Sequence, residues 1–181
     1  MSDQQITVHA YDATWPDRFA DQQAIVTPLL EPWLAGPIEH IGSTSVPGLR
    51  AKPVIDMLAP VRSLAAAQAV IPVLRRAGWW DWPDDPNSSY RLWFLRPSPQ
   101  ARTHHLHMIE RDDVHARALL MFRDALRADA ALRQNYADLK DRLAVEHPDN
   151  RNAYTNAKGD FVAQVLRGAG ADVPSRGLLP E

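Results

Sequence analysis

The chain has 181 residues, of which 45% are hydrophobic and 23% charged, proportions that are ordinary for a globular protein with one full core. Its formal net charge of -2 provides no bulk attraction to nucleic acid or to an anionic membrane. Cysteine is absent, which excludes disulfides, thiolate metal sites and a cysteine nucleophile.

The sequence also bears on localisation. Residues 1–5 carry no basic-then-apolar signal pattern, and no apolar run approaches the ~20 residues that a membrane span needs. We therefore expect a cytoplasmic protein with no membrane partner. We further expect residues 1–181 to form a single domain.

The first part of the chain alternates between helical and extended patterns. The predicted elements are a helix over about 15–30, strands over 38–41 and 53–61, and a helix over 63–77. Pro16 suits the first turn of the first helix, and Ser63 and Gly78 are typical of the start and end of the second. The strand over 53–61 is apolar enough to be central and buried on both faces.

In the rest of the chain the spacing of apolar residues changes from that of strands to that of helices. Residues 79–82 predict a strand or a bend, 84–89 a turn, and 90–95 and 103–110 two antiparallel strands. After Glu110 the apolar spacing becomes helical, which predicts two or three amphipathic helices and then a loose tail from about residue 173. This order predicts an α+β fold, a small mixed β-sheet packed against helices, with further helices at the C-terminal end.

A glycine-serine loop follows the first predicted strand. Gly42, Ser43 and Thr44 offer backbone N–H groups and hydroxyls that can approach a phosphate closely. Lys52 can point back into this loop, and Asp56 on the next strand can hold a divalent cation against the phosphate. This combination is typical of a nucleotide site; the structural alternative is that the glycine only shapes a turn and Asp56 pairs with Lys52 or an arginine.

Three histidines form a second cluster, at positions 104, 105 and 107. On a strand, His105 and His107 share one face and His104 points to the other. Two imidazoles at this spacing can bind one metal ion, transfer protons or donate to phosphate, or they can be hydrogen-bonded residues of a polar strand face. His40, on the first strand, either joins this site or belongs to the core.

Other polar residues are less specific. Arg91 and Arg96 lie on opposite faces of one predicted strand, and one of them can contact phosphate because a guanidinium fits phosphate well. The alternative for each is a solvated arginine; we take Arg91 as the phosphate ligand. Lys140 and Lys158 are interpreted as surface lysines. Residues 122–127 are interpreted as core positions joined to a surface ion-pair face, and the tryptophans at 79, 80, 82 and 93 as core or pocket wall.

These motifs resemble the GrpB family of nucleotidyltransferase-like proteins. The matching stretches are Glu39 to Leu49, Ala51 to Asp56, His104 to His107, Phe122 to Asp124 with Leu126 and Arg127, and Tyr154 with Lys158. They run from the first part of the chain to its last helix. The resemblance implies the nucleotidyltransferase fold, a mixed sheet whose first two strands flank a glycine-serine phosphate loop.

The resemblance also shows a departure. Enzymes of this superfamily usually carry a pair of carboxylates after the loop and a third on a later strand. Asp56 matches the first position, whereas Leu58 stands at the second and cannot bind metal. The third falls near His105 or His107, with Glu110 as a less well-placed substitute.

We therefore expect a metal-assisted nucleotidyl- or phosphotransferase. The loop residues Gly42, Ser43 and Thr44, with Lys52 and Arg91, would hold the phosphates of a nucleotide or another phosphorylated small molecule. Asp56, His105 and His107 would hold a divalent metal, Mg or Mn, and Asp56 and His107 would serve catalysis. The alternatives are a non-catalytic nucleotide or phospho-ligand sensor, favoured by Leu58, and a hydrolase built on the two histidines.

Overall fold

The computed structural model describes residues 6–180; residues 1–5, which we examined for a signal pattern, and residue 181 lie outside this range. Its strands are β1 (Glu39–Ile41), β2 (Ile55–Val61), β3 (Trp80–Asp81), β4 (Arg91–Arg96) and β5 (His104–Glu110). Its helices are α1 (Trp15–Leu30), α2 (Leu64–Ala67), α3 (Ile71–Arg76), α4 (Val114–Ala128), α5 (Ala130–Glu146), α6 (Arg151–Asn156) and α7 (Gly159–Gly168). None of these helices is long and apolar enough to cross a membrane.

The strands form one mixed sheet in the order β1-β2-β5-β4-β3. Strands β2 and β5 run parallel, and the other neighbouring pairs are antiparallel. The predicted α+β fold with a small mixed sheet is therefore confirmed. The register between the two parallel strands places Asp56 opposite His105 and Leu58 opposite His107.

The two faces of the sheet differ because side chains alternate along a strand. On one face Ile55, Met57 and Ala59 pack against α1, α2 and α3 in the main core. On the other face Leu58 packs with Ile41, Ile109 and a residue of α4. Asp56 lies on this second face, and the C-terminal helices cover it.

The helix predicted over 63–77 is interrupted. Gln68–Val70 form a 3₁₀ turn between α2 and α3. Pro72 has no N–H to give to the carbonyl of Gln68, so the α-helical ladder cannot run through this point. The predicted ends are confirmed, since the Ser63 hydroxyl accepts a hydrogen bond from the Ala66 N–H and Gly78 has a φ of 82°.

The C-terminal part contains four helices where two or three were predicted. The additional break falls at Ala157 and Lys158, between α6 and α7. Residues 173–180 form no helix or strand, as the pattern indicated. They are held in place rather than loose, because the side chains of Asn87, Asn152 and Asn156 hydrogen-bond to their backbone.

Candidate functional site

A cleft of about 480 Å³ opens between the second face of the sheet and the C-terminal helices. The predicted site residues that line it are Gly42, Ser43, Lys52, Asp56, Arg91, His105 and His107. Strands β2, β4 and β5 supply one wall, and helices α4 to α7 supply another. The structure therefore brings most of the predicted residues, from distant parts of the chain, to one cavity.

Gly42 shapes the start of the loop. Its φ is 70°, a left-handed conformation that favours glycine, and a Cβ at this position would overlap the Oδ2 atom of Asp56. The backbone therefore passes directly against the carboxylate. Ser43 follows in a 3₁₀ turn, lines the cleft and shares a hydrogen bond with Tyr136, whose pKa burial raises to about 12.

Two arginines of α4 fix the backbone of this loop. Arg127 donates to the carbonyl of Ser45 from Nε at 3.0 Å and from Nη2 at 2.8 Å. Arg123 donates from Nη1 to the carbonyl of His40 at 3.1 Å and to a carboxylate oxygen of Glu39 at 2.9 Å. The segment interpreted as a surface ion-pair face thus also holds the loop in position.

Thr44 and His40 lie on the side of the loop that faces away from the cleft, where their side chains contact each other. The Thr44 hydroxyl donates to the carbonyl of Val54 at 3.0 Å and lies 3.0 Å from Nε2 of His40. Thr44 is 1% exposed and is not among the residues that line the cleft, so it does not face a ligand as we expected. The His40 ring stacks on Phe19, and burial lowers its pKa to about 4, which places it in the core.

Asp56, His105 and His107 form the polar centre of the cleft. Nδ1 of His105 lies 2.9 Å and Nε2 of His107 lies 3.9 Å from Oδ1 of Asp56. One donor atom from each residue can be chosen so that all three lie within 4.8 Å of one another. The partners of Asp56 are these histidines, whereas the structural alternative predicted a lysine or an arginine.

The charges of this triad follow from its surroundings. Burial raises the pKa of Asp56, but hydrogen bonds from His105 and His107 outweigh it and hold the pKa well below its usual range. Burial lowers the pKa of His105 to about 4 and also lowers that of His107. At neutral pH the carboxylate is ionised and both imidazoles are neutral, which is the state that binds metal.

Within residues 6–180, Asp56 is the single carboxylate that lines the cleft. Leu58 is 1% exposed and belongs to an apolar cluster. Glu110 lies at the opposite end of β5, where its side chain accepts a hydrogen bond from the N–H of Leu64 at 2.7 Å. It therefore caps α2 and does not substitute for the third carboxylate.

The chain contains only three lysines, and all of them line this cleft. The Nζ atoms of Lys52 and Lys158 lie 4.5 Å and 4.4 Å from the ring centroid of Tyr154. Lys140 is 2% exposed and donates to the carbonyl of Arg50. Lys140 and Lys158 are therefore cleft residues, and our interpretation of them as surface lysines was wrong.

Burial and crowding of like charges disfavour the charged forms of these lysines. Burial, with the neighbouring Lys158, lowers the pKa of Lys52 well below its usual value. Burial and Lys158 also lower the pKa of Lys140 to about 7. Burial, with Arg176 and Arg151, lowers the pKa of Lys158 to about 8 against the opposing effect of Asp56. A concentration of cations that depress one another's pKa values is typical of a site built for an anion.

Four arginines extend the positive lining: Arg91, Arg102, Arg151 and Arg176. Arg91 is tied to the buried Asp85 by contacts of 2.6 Å and 2.9 Å, and its Nη1 lies 3.5 Å from Nδ1 of His107. Much of its charge is therefore compensated within the protein. Arg96 lies elsewhere, with its Nη1 3.4 Å from Oε1 of Gln22.

The sequence contained one signal for the residues that we missed. Lysine occurs three times among the 20 lysine and arginine residues, and all the others are arginine. Because lysine occurs only at positions 52, 140 and 158, this scarcity indicates that the three lysines share one role. For Arg102, Arg151 and Arg176 we find no comparable signal.

Comparison with known protein families places these features in context. The family model described as "GrpB protein" matches residues 5–168. A UPF0157 protein of Pseudomonas aeruginosa is 39% identical over 168 residues, which cover 91% of this chain and 67% of that protein. The UPF0157 protein YqkA of Bacillus subtilis is 33% identical over 87% of this chain, which spans only 45% of that longer relative.

A solved structure agrees with the fold. The crystal structure of the conserved protein GrpB from Enterococcus faecalis superimposes with a TM-score of 0.78 at 30% sequence identity. The match covers 90% of this chain and 96% of the other. The sheet and the helices that build the cleft thus recur in a crystal structure of a similar protein.

Proposed function

The chain belongs to the GrpB protein family, and from this membership and the chemistry of its cleft we propose that it is a metal-assisted nucleotidyl- or phosphotransferase. One observation carries the proposal. The cleft gathers every lysine of the chain around a single ionised carboxylate that two neutral histidines hold in place. Such a site attracts a polyanion and a cation together, which is the requirement of phosphoryl-transfer chemistry.

The lysines support the binding of a phosphorylated ligand. A compact ammonium group is a point charge that suits phosphate oxygens. Lys52, Lys140 and Lys158 come from the loop before β2, from α5 and from the turn before α7, so they surround the cavity from separate elements. A bound polyphosphate would relieve their mutual repulsion.

The triad supports one metal ion. A carboxylate oxygen and two imidazole nitrogens suit Mn²⁺ or another transition metal better than Mg²⁺, which prefers oxygen ligands throughout. Asp56, His105 and His107 would hold the ion with small shifts from their present distances. When bound there, a divalent cation would neutralise charge on the phosphate group that is transferred.

The arrangement of the loop supports the superfamily assignment. Strands β1 and β2 flank the loop that contains residues 42–45, as the resemblance to nucleotidyltransferases implies, and the two strands pair antiparallel. The Asp56 carboxylate lies against Gly42, the first residue of this loop. In this proposal the Ser43 hydroxyl and the loop N–H groups bind phosphate, while Thr44 holds the loop to the segment before β2.

Leu58 favours a second candidate. With one carboxylate in the cleft, a two-metal site would lack a metal-binding residue. A protein of this fold without a two-metal site would bind its nucleotide or phosphorylated molecule and leave it unchanged. The second candidate is therefore a nucleotide or phospho-ligand sensor. It shares the cationic cleft with the transferase and differs in its use of metal.

The two candidates predict opposite effects of Asp56→Asn. For the transferase, removing the charge that holds the cation should weaken ATP binding in the presence of Mn²⁺. For a metal-free sensor, the same change removes repulsion between carboxylate and phosphate, so binding should stay equal or become tighter. Titration calorimetry of both proteins with ATP, with and without Mn²⁺, measures this sign.

A thermal-shift measurement provides an independent check. ATP at ~100 times its dissociation constant should stabilise the protein by about 2.7 kcal/mol. Lys52→Ala should weaken ATP binding by about 1.5–3 kcal/mol, the range for a hydrogen bond to a charged group. The exposed Arg142 of α5 offers a matched control, because Arg142→Ala removes one positive charge outside the cleft.

A further inference from the structure

The last described residues cross the mouth of the cleft. We call residues 173–180 the C-terminal strap. On the sheet side its backbone contacts Asn87, which precedes β4, and His115 in the first turn of α4. On the opposite side it contacts Asn152 and Asn156 of α6. The strap therefore joins two walls of the cavity.

Two asparagines hold the strap by paired hydrogen bonds. Asn87 accepts from the N–H of Gly177 at 2.8 Å and donates to its carbonyl at 3.1 Å. Asn156 makes the same pair of bonds with Leu179, at 3.1 Å and 2.9 Å. Each side-chain amide thus binds both the N–H and the carbonyl of one strap residue, as the backbone of a neighbouring β-strand does. These bonds fix the position of the strap without a helix or a strand.

The strap also contributes side chains to the cavity. Val173, Pro174 and Leu179 line it together with Arg176, which is exposed at the mouth. Arg176 donates to the carbonyls of Thr155 and Asn156 at 3.2 Å, beside the cleft lysine Lys158. At Gly177 a Cβ would come within 2.9 Å of Pro86, so the glycine permits the close approach that brings the strap over the cleft.

We propose that the C-terminal strap is a wall of the ligand site, that Arg176 contacts the phosphorylated ligand, and that ligand exchange requires the strap to release. This inference rests on the proposed function, because it assumes that the cleft binds such a ligand. The strap lies beyond residues 5–168, the range that the family model matches.

Two substitutions test separate parts of this proposal. Asn156→Ala removes both bonds to Leu179 and frees one end of the strap, while Arg176→Met removes its cation and keeps most of the side-chain volume. The probe is ATP with Mn²⁺, and its binding and dissociation rates are followed by stopped-flow fluorescence of the cleft tryptophan Trp93. Gln134→Ala and Arg142→Met, on exposed positions of α5, are the matched controls.

We expect Asn156→Ala to accelerate both association and dissociation by about tenfold, because the strap opens more often. We expect Arg176→Met to accelerate dissociation by about tenfold with little change in association. Hydrogen exchange provides a readout without ligand: the Leu179 amide should be protected in the unmodified protein and lose this protection in Asn156→Ala.

The outcomes separate the two proposals. ATP binding by the unmodified protein with rates unchanged in both variants would overturn the strap proposal and leave the proposed function intact. Absence of ATP binding in the unmodified protein, with or without Mn²⁺, would overturn both. An unprotected Leu179 amide in the unmodified protein would show that the strap does not rest on the cleft and would also overturn the inference.

Discussion

Asp56 and His105 are register partners on the parallel strands β2 and β5, and Nδ1 of His105 lies 2.9 Å from Oδ1 of Asp56. Parallel neighbours at this register point their side chains to the same face of the sheet. The hydrogen bond keeps the carboxylate ionised, while burial keeps the imidazole neutral. The carboxylate is therefore charged and the imidazole neutral, which are the charge states that a metal ion requires.

Metal binding should depend on His105 and be independent of its neighbour His104. His105→Gln should weaken Mn²⁺ or Zn²⁺ binding by at least about tenfold, because it removes an imidazole ligand. His104 lies on the same strand and hydrogen-bonds to Thr103 away from the cleft, so His104→Gln is the matched control. Titration calorimetry with each metal measures the change; equal affinities in the two variants would contradict the triad as a metal site.

Gly42 and Gly48 should respond differently to alanine. Both have positive φ, 70° and 76°, so alanine introduces backbone strain of about 1–3 kcal/mol at either position. At Gly42 the new Cβ also meets the Asp56 carboxylate, whereas a Cβ at Gly48 meets no atom of residues 6–180 within 4 Å beyond its chain neighbours. Denaturant unfolding should show a loss of about 3 kcal/mol or more for Gly42→Ala and a smaller loss for Gly48→Ala. Equal losses would show that the loop moves away from Asp56 at little cost.

Lys158→Met should stabilise the free protein and weaken ligand binding. The pKa of Lys158 is about 8 in the folded state and near 10.5 in the unfolded state. Below pH 8 the lysine is charged in both states, and its charge destabilises the folded state relative to the unfolded one. Removing the charge should raise the free energy of unfolding at neutral pH by about 1–2 kcal/mol. This gain should shrink as pH rises from about 8 to 10.5, since the unmodified lysine then loses its proton in both states.

Denaturant unfolding of Lys158→Met across this pH range tests the stability change, and calorimetry with ATP tests binding. The exposed Arg142 of α5, replaced by Met, is the control for loss of a positive charge. A destabilised Lys158→Met with unchanged ATP affinity would assign Lys158 a structural role.

Ligand affinity should fall as pH rises above neutrality. The pKa values of Lys140 and Lys158, about 7 and about 8, mean that both ammonium groups lose protons between about pH 6.5 and about pH 9. A bound phosphate favours the charged forms, so ATP binding should be accompanied by proton uptake near pH 8. Calorimetry in two buffers of different ionisation enthalpy detects this uptake; heats that are equal in both buffers would contradict the prediction.

The local features of this site follow from the order of residues along the chain. The period of two along β5 predicted that His105 and His107 share a face and that His104 does not, and the structure places them so. The apolar run over residues 53–61 predicted a central strand, and β2 pairs with β1 on one side and with β5 on the other. These predictions succeeded because strand alternation and capping depend on neighbouring residues.

Which distant residues meet depends on how the helices and strands pack together. Lys140 on α5 and Lys158 before α7 converge on Lys52 because the C-terminal helices pack over one face of the sheet. Thr44 turned away from the cleft because its hydroxyl bonds to the Val54 carbonyl, a contact that no local pattern encodes. The C-terminal strap, too, is positioned by side chains of Asn87 and Asn156, far from it in the chain. Periodicity fixes which face a residue presents, but the packing of whole elements fixes what that face meets.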